Sequence, residues 1–511
     1  MDWVMQKQNT DWSNREEVLK IAKTTGWALK YADKELQADR EIVMAAVTSQ
    51  GSCIEYADES LKSDREIVMA AVSSDGWYAL DKIDDQFKED REIAMAAVSN
   101  NGEALKKLND KFKADRELVL TAVNNSGYGL QYASEELKAD REIVLIAMQT
   151  QGCMIEHTND ALKNDREVAL AAVQQDGKAL EFVSEALKAN RKIVLAAVQQ
   201  DGNALQYADE KFKSDRAVVL MAMKTSGRVI SEISGELRSD REIVMTAVKN
   251  YGWALKYASE KLHLDKEVVL AAVGDKGRLL EDVKQKFKSD KEVVMAAVSN
   301  YGVIIMSASK ELQNDKEVVL AAVQQKYHGA ALKYTSEELQ ADQDVVFKAV
   351  QHDGLALKWA DDFLKADKEI ALAAVQNDGR SLQYVDQSLK NNQEIMKAAL
   401  EKNGEALKFT ELLTRDDKSM VMTAVKSRSQ SFCMDGVALS YASERLKSDK
   451  EVVLAAVRNN GKQSLEFASD DLKGDKEVVL AAVKERSTAL DFADDSLKND
   501  PEFMKEVEQY L

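Results

Sequence analysis

The sequence predicts an all-α protein, an α-solenoid or superhelix of about 20 tandem two-helix repeats of 25 residues. Three observations predict this fold. The stretch DREIVMAAV stands at residues 39–47 and again at 64–72, and a second form, DKEVVLAAV, occurs at 265–273, 315–323, 449–457 and 475–483. The chain holds only 22 glycines and one proline in 511 residues, as expected of helical proteins. With 45% hydrophobic and 31% charged residues, it can form both a core and a solvated surface.

The aspartate of each DRE or DKE motif sets the period of the repeat. Asp, or Asn in three repeats, occupies this place at positions 14, 39, 64, 90, 115, 140, 165, 190, 215, 240, 265, 290, 315, 342, 367, 392, 417, 449, 475 and 500. Both side chains accept hydrogen bonds from the free N–H groups of a helix start. The only proline, Pro501, follows the last of them, where a helix tolerates proline best. A capped helix is therefore expected after each of these positions.

A block of six mostly apolar residues begins at the third position after each cap, as in Ile42 to Val47 after Asp39. Such a helix is apolar on every side, which predicts that it lies sandwiched between neighbours. A glycine then closes the helix in 18 of the 19 full repeats, from Gly26 to Gly461, and only Ser487 departs. We expect this corner glycine to adopt a positive φ just past the helix end. It is a single glycine, and no GxGxxG or P-loop motif surrounds it, so it is not a phosphate site.

The second part of the repeat has apolar positions at i, i+3 and i+7, as in residues 254–262, which indicates one side of a helix. The pattern leaves open whether this is one helix or a helix followed by a short turn recapped by Ser134, Asp209 and their equivalents. Such short elements cannot bury a core alone, so stacking of repeats must supply it.

Four segments are expected along the chain. Residues 1–13 form an N-terminal cap segment, and residues 500–511 form a C-terminal capping helix. Between them, residues 14–264 carry Arg after each cap, whereas residues 265–499 mostly carry Lys. Insertions fall near residues 326–328 and 427–435 in this second block. The change from Arg to Lys indicates two blocks with different duplication histories.

The repeat resembles the short tandem helical units of the domain of unknown function 4116 family, whose pattern runs like LKxDREVVLxAVxxxGxALxxAS. The resemblance covers about residues 14–500 and departs from the pattern at Lys192, Ala217, Ser487 and the insertions. It implies a fold of stacked helical repeats of about 25 residues. The family name implies no activity, so the resemblance leaves the function open.

Composition excludes several classes of partner. A net charge of −18 argues against nucleic acid and anionic lipid, because both require clustered Lys and Arg. No apolar run approaches the ~20 residues of a membrane span. The first residues lack the layout of a signal peptide, and three cysteines make no disulfide framework. We therefore expect a cytoplasmic protein that does not bind membranes.

Catalytic and metal-binding patterns are missing from the sequence. The four histidines, at 157, 263, 328 and 352, occupy different repeat positions and form no metal-binding or triad spacing. Cys53 and Cys153 lie four repeats apart. The DRE carboxylates recur in every repeat, whereas a catalytic pair should be singular. The sequence therefore predicts no enzyme, no metal and no cofactor.

The residue beside each corner glycine varies too widely to be a packing position, and it includes Trp and Tyr, which are favoured anchors of protein interfaces. The sequence therefore predicts a non-catalytic scaffold that binds a protein or peptide through this variable turn edge and the solenoid surface. A helical-repeat nucleic-acid-binding protein is the first alternative, and an enzyme is the second. The candidate partner-binding residues are Trp27, Trp77, Tyr128, Tyr251, Trp253, Tyr301, Tyr327, His328 and Phe432.

Two columns of repeated side chains each allow two interpretations. The aromatic column that includes Tyr31, Tyr56 and Tyr132 is either part of the core between repeats or a ladder for a ligand, and its gaps favour partial burial. The Arg or Lys after each cap forms either a ridge for an anionic partner or ion pairs with the Glu column beside it. The sequence favours core packing for the first column and ion pairs for the second.

Overall fold

The computed structural model describes residues 10–325, 328–427, 437–459 and 461–510. Over these residues every regular element is a helix, and no strand occurs. Helices of neighbouring repeats pack against one another in regular succession, which confirms the predicted all-α solenoid of tandem repeats. The chain divides into two compact units, Met1–Ser259 and Glu260–Leu511. Each unit is a stack of the same repeat.

Each repeat begins with a capped helix. In Arg40–Ser49, the carboxylate of Asp39 accepts hydrogen bonds from the backbone N–H groups of Glu41 and Ile42, at 2.9 and 3.2 Å. The predicted capping is thereby confirmed. The capped helices are Arg15–Ala22, Arg40–Ser49, Arg65–Ser74, Arg91–Asn100, Arg116–Asn125, Arg141–Thr150, Arg166–Gln175, Arg191–Gln200, Arg216–Thr225, Arg241–Asn250, Lys266–Asp275, Lys291–Asn300, Lys316–Val323, Gln343–His352, Lys368–Asn377, Gln393–Lys402, Lys418–Lys426, Lys450–Asn459, Lys476–Glu485 and Pro501–Val507.

The segment after the corner is a short 3₁₀ helix in most repeats. The 3₁₀ segments are Gly51–Tyr56, Gly102–Lys107, Gly127–Tyr132, Gly152–His157, Gly177–Glu181, Gly202–Tyr207, Gly227–Ser231, Gly252–Tyr257, Gly277–Glu281, Gly302–Ser307, Gly329–Tyr334, Gly354–Trp359, Gly379–Tyr384, Gly404–Phe409, Val437–Tyr441 and Ser487–Phe492. Three repeats have a short α-helix at this place instead: Ala28–Tyr31, Gly76–Ala79 and Gly461–Glu466.

A separate single turn ends each repeat, so the alternative of a recapped final turn is confirmed. Asp209, for example, accepts a hydrogen bond from the backbone N–H of Lys211 at 3.1 Å. These turns are Lys34–Gln37, Glu59–Lys62, Asp85–Glu89, Asp110–Lys113, Leu137–Ala139, Asp160–Lys163, Glu185–Lys188, Glu210–Ser214, Leu237–Ser239, Leu262–Leu264, Gln285–Lys288, Lys310–Gln313, Glu337–Gln340, Asp362–Lys365, Gln387–Lys390, Leu412–Arg415, Glu444–Lys447, Asp470–Lys473 and Asp495–Lys498. A final 3₁₀ turn, Glu508–Tyr510, follows the last capped helix.

The corner glycine is required for close approach, and the expectation of a positive φ is wrong. Gly51 does not lie in the left-handed region. A Cβ atom built on it would instead lie 2.0 Å from the carbonyl oxygen of Ala71, one repeat further along the chain. Gly102 and the carbonyl oxygen of Ala122 repeat this geometry at 2.2 Å. Any side chain here would push the two repeats apart.

The capped helix lies between the capped helices of the neighbouring repeats, as predicted, but one side of it is only half-buried. Ile42, Val43, Ala46 and Val47 are completely buried against the neighbouring capped helices and the short segments. Met44 is only half-buried, as is Ala45 beside it. Within the described chain these two side chains are therefore not covered completely.

An amide at the end of many capped helices ties two repeats together. The Asn125 side chain accepts a hydrogen bond from the N–H of Gly102 at 2.8 Å and donates one to the carbonyl of Ser99 at 2.8 Å. Gln175 forms the same pair of bonds with Gly152 and Thr150, at 2.6 and 2.7 Å. This amide clamp satisfies the backbone of the previous corner, which would otherwise lack partners.

The Arg or Lys that follows most caps forms ion pairs with acidic residues of the next repeat. We call the series of these ion pairs along the chain the ion-pair ladder. Arg91 donates to Asp115 and Glu117 of the next repeat, at 2.9 and 2.6 Å. Lys291 pairs in the same way with Asp315 and Glu317, at 2.8 and 2.7 Å. The basic column therefore forms ion pairs with the Glu column, which confirms the interpretation that the sequence favours.

The ladder is interrupted where the acids are missing. Asn190 and Lys192 stand where most other repeats carry Asp and Glu, and over the described residues Arg166 forms no ion pair. Arg191 in turn holds only Asp215, at 3.2 Å, because Ala217 replaces the second acid. The stack continues through both repeats without these charges, so packing and the close approach of the corners suffice there.

We expect Gly51→Ala to lower the free energy of unfolding by about 3 kcal/mol, since the added Cβ would overlap the backbone of Ala71. Gly274→Ala is the matched control, because nothing lies within 4 Å of that site, which is inside a capped helix. It should raise stability by about 1 kcal/mol. Urea unfolding curves measure both, and equal effects of the two substitutions would contradict the role of the corner.

We expect Asn125→Ala to destabilise the protein by about 1–2 kcal/mol, because it leaves the N–H of Gly102 without its acceptor. The adjacent Asn124→Ala is the control, since the Asn124 amide bonds only the Leu120 carbonyl of its own helix. That change should stay within about 0.5 kcal/mol. The same urea unfolding curves compare them, and the clamp has no role if both variants unfold alike.

The ladder makes stability depend on pH. The hydrogen bond from Arg141 holds the pKa of Asp165 below its usual value, and the backbone N–H groups of Val168 and Glu167 lower it further. A carboxyl with a lowered folded-state pKa stabilises the fold above its unfolded pKa of about 4, and this contribution is lost as pH falls through the folded value. Asn also caps these helices, as at Asn190, so Asp165→Asn removes the charge and keeps the cap.

We therefore expect the urea midpoint of Asp165→Asn to fall less than that of the wild type between about pH 5 and about pH 3. Asp160→Asn, an exposed acid outside the ladder, is the control and should keep the wild-type pH dependence. The ladder would carry no stability if all three proteins lost the same amount over this range.

Candidate partner-binding surface

The short segment after each corner presents three positions outward. Its pattern is Gly-x-Ala-Leu-x-aromatic, and the Ala and Leu, such as Ala28 and Leu29, are fully buried under the capped helices. Trp27 and Lys30 are exposed, and Tyr31 is half-buried. We call the surface formed by the residue after the glycine and the last two residues of each segment the aromatic face.

Neighbouring repeats join their rings on the aromatic face. The Trp27 ring lies 5.7 Å from the Tyr56 ring of the next repeat, and Trp12 lies 5.5 Å from Tyr31. The variable position and the aromatic column therefore belong to one surface. Tyr31, Tyr56 and Tyr132 are all half-buried, so the column is neither core nor a fully open ladder.

The structure places the predicted partner-binding residues at different degrees of exposure. Trp27 and Tyr128 are the most open, with 38% and 37% of their surface exposed. Four others are half-buried: Trp77, Tyr251, Trp253 and Tyr301. Tyr327 and Phe432 lie outside the described residues.

Basic side chains cover the half-buried rings. The ammonium of Lys107 lies 4.1 Å from the Trp77 ring, and it also forms an ion pair with Asp81 and a hydrogen bond with the Trp77 carbonyl. Other cation–ring pairs on this face are Arg228 with Tyr251, Lys256 with Trp253, and Arg278 with Tyr301. These contacts hold the rings in place, as interface anchors require.

His328 has a packing role between repeats. Its Nδ1 accepts a hydrogen bond from the N–H of Gly302 at 3.1 Å, the bond that an Asn or Gln amide accepts elsewhere. Its ring also meets Tyr301 edge-on at 4.8 Å. The imidazole of His328 thus takes the place that the clamp amide has in other repeats. Binding of a partner by His328 stays a prediction.

Several exposed apolar residues do not follow from the sequence reasoning. Tyr78 is 60% exposed beside Trp77, in a repeat whose caps, Asp64 and Asp90, lie 26 residues apart instead of 25. This extra residue is the sequence signal that could have identified Tyr78. Phe363 is also exposed and stands where Ser60 stands in its own repeat. Comparison of the final turns position by position would have found it. The pair Leu412 and Leu413 lies on a later final turn, 78% and 83% exposed.

The two described cysteines are poor nucleophiles. Burial, with the nearby Asp75 and Glu55, raises the pKa of Cys53 to about 12. Burial and Asp176 raise the pKa of Cys153 as well. Thiols with raised pKa values carry little of the reactive thiolate. Among the described side chains no three His, Cys, Asp or Glu residues gather as metal ligands would, and no described helix has the length and hydrophobicity to cross a bilayer.

Comparison with known families agrees with the repeat architecture. A family model described as "Domain of unknown function (DUF4116)" matches residues 14–62, 39–88, 90–138, 140–188, 190–238, 218–263, 240–288, 265–313, 290–328, 315–365, 367–411, 417–473 and 475–507. These overlapping stretches, roughly 50 residues each, tile the chain. No curated protein shows significant similarity to it. The chain thus belongs to the DUF4116 family, on the strength of a repeat that the family model matches along most of its length.

Proposed function

We propose that this protein is a non-catalytic scaffold that binds a protein or peptide partner through the aromatic face. The observation that carries the proposal is the open indole of Trp27, 38% exposed beside Tyr56 on a surface whose outward residues change from repeat to repeat. Packing explains the constant positions of the repeat and leaves this position free to vary. Exposed Trp and Tyr on a rigid backbone are the residues that dominate protein interfaces.

The ion-pair ladder counts against the alternative of a nucleic-acid-binding protein. Binding to a phosphate backbone requires free Lys and Arg along one surface. Here the basic column is occupied by carboxylates of the next repeat, as in the pair of Arg40 with Asp64 at 2.9 Å. The net charge of −18 acts in the same direction. This alternative therefore has less support than a protein partner.

The alternative of an enzyme lacks a site with suitable chemistry among the described residues. The raised pKa values of Cys53 and Cys153 disfavour a thiolate nucleophile. The matching family model is described as a domain of unknown function and names no catalytic activity. A cytoplasmic location remains part of the proposal, and fluorescence microscopy of the tagged protein in its own cells tests it.

The triple substitution Trp27→Ala, Trp77→Ala and Trp253→Ala should reduce partner recovery by about tenfold or more, because interface tryptophans carry much of the binding energy. Quantitative affinity purification of the tagged full-length protein, with mass spectrometry of what it retains, measures the effect. Partners that depend on these residues should be lost together.

The matched control is Phe363→Ala, Leu412→Ala and Leu413→Ala, which removes exposed apolar side chains from the final turns instead. Its partners should be those of the wild type. Circular dichroism of both variants must show the wild-type helix content, so that loss of binding is not loss of fold. An unchanged set of partners for the folded tryptophan variant would refute the proposal.

A further inference from the structure

Four consecutive repeats of the second unit carry a shared motif on their outward surface. Their 3₁₀ segments pack side by side: Gly329–Tyr334, Gly354–Trp359, Gly379–Tyr384 and Gly404–Phe409. These segments end in LKY, LKW, LQY and LKF, so a lysine precedes an aromatic ring in three of the four. We call Lys333, Tyr334, Lys358, Trp359, Lys408 and Phe409 the lysine–aromatic column.

Two ammonium groups share one indole in this column. Lys333 lies 5.4 Å from the Tyr334 ring and 5.2 Å from the Trp359 ring, and so spans two repeats. Lys358 lies 4.7 Å from the same Trp359 ring. Further along, Lys408 lies 6.0 Å from Phe409. The rings attract the ammonium groups, but a ring does not neutralise a positive charge.

The charges of the column have no carboxylate partner within the described chain. Lys333, Lys358 and Lys408 are exposed, and none of them forms an ion pair there. The nearby Asp378 is occupied by Arg380, at 2.7 Å. The arrangement thus places three uncompensated positive charges beside aromatic rings, on a chain whose net charge is −18.

The Trp77 ring in the first unit is also covered by a lysine, although Trp77 follows its corner glycine and Trp359 ends its segment. Lys107 lies over the Trp77 ring at 4.1 Å, yet it is also paired with Asp81 and is only 15% exposed. An acid of the chain itself completes that site. At Trp359 neither lysine forms an ion pair with an acid of the described chain, so a carboxylate from another molecule fits there.

We propose that the lysine–aromatic column binds an acidic segment of a partner protein, in which Asp or Glu alternates with apolar residues. The carboxylates would accept hydrogen bonds from Lys333 and Lys358, while the apolar side chains lie against the edges of the Trp359 ring and of its neighbours. The rings are covered by lysines of the chain itself, which leaves little open ring face for stacked nucleobases. Peptide carboxylates therefore fit the surface better than a nucleic acid does.

The negative charge of the whole protein does not prevent this binding. At physiological ionic strength charges are screened beyond about 8 Å, so the lysines of the column dominate the field at their own surface. The column is a part of the aromatic face, so this proposal rests on the proposed function, but it lies in the second unit and shares no residue with Trp27, Trp77 or Trp253. Its failure and the failure of the proposed function are therefore separable, since the tryptophan variant should leave it intact.

The test is fluorescence anisotropy of a labelled, C-terminally amidated peptide titrated with the full-length protein. The peptide alternates Glu with Leu or Phe over about 12 residues, long enough to span four repeats about 10 Å apart. The same peptide with Gln for Glu is the ligand control, and a labelled oligouridine of similar length tests nucleic acid. We expect the Glu peptide to bind about tenfold or more tightly than the Gln peptide, and to weaken as salt is raised.

Protein variants assign the binding to the column. The double reversal Lys333→Glu and Lys358→Glu should weaken the Glu peptide by about tenfold or more, whereas Lys333→Arg with Lys358→Arg should bind within about threefold of the wild type. The control reversal Lys348→Glu and Lys397→Glu makes the same charge change on exposed capped-helix residues of the same unit, and it should have little effect.

Four outcomes would overturn the proposal. The Glu peptide could fail to bind, or it could bind no better than the Gln peptide. The reversal of Lys333 and Lys358 and the control reversal of Lys348 and Lys397 could weaken binding of the Glu peptide equally, which would mean that binding depends on net charge alone. Finally, oligouridine could bind more tightly than the peptide and be lost in the Lys333 and Lys358 reversal, which would assign the column to nucleic acid.

Discussion

The approach of each corner glycine to the backbone of the next repeat determines the spacing of the stack. Between Gly51 and the Ala71 carbonyl there is no room for even one methyl group. At this spacing the amide of Asn125 reaches across to Gly102, and the guanidinium of Arg91 reaches Asp115. It also brings the rings of Trp27 and Tyr56 to 5.7 Å. These contacts depend on the same separation between repeats.

This spacing also decides which positions of the repeat can change. The apolar residues of the capped helix are buried between neighbours, and the charged residues at its start bind those of the next repeat. A substitution at either place disturbs two repeats. The outward positions of the short segments contact few neighbours, so they vary freely, and the proposed binding surfaces lie there. The proposed binding surfaces are thereby separated, within each repeat, from the residues that stabilise the stack.

Sequence reasoning succeeded where the signal is local and repeated. The caps, the short helices and the ion pairs follow from residue types at fixed spacing, whereas the recapped turn was one of two alternatives that the sequence left open. Sequence reasoning gave the wrong cause for the corner glycine. A positive φ and a close approach to another backbone both require glycine, so the sequence alone does not distinguish them. Sequence reasoning also missed the clamp of Asn125 and Gln175, because a polar residue near a helix end is equally typical of a loop. Tyr78 and Phe363 were missed although the extra residue of one repeat and a position-by-position comparison of the final turns would have identified them.

The sequence by itself determined the repeat, its period and the start of each capped helix, since these depend on hydrogen bonds within a few residues of each other. Only the tertiary structure decided which side chains meet across repeats. Lys333 lies beside Trp359, and Lys107 beside Asp81, in each case across neighbouring repeats. Only Lys107 thereby forms an ion pair. Whether a lysine forms an ion pair with an acid of the chain depends on how neighbouring repeats align. The spacing of residues within one repeat does not predict this alignment.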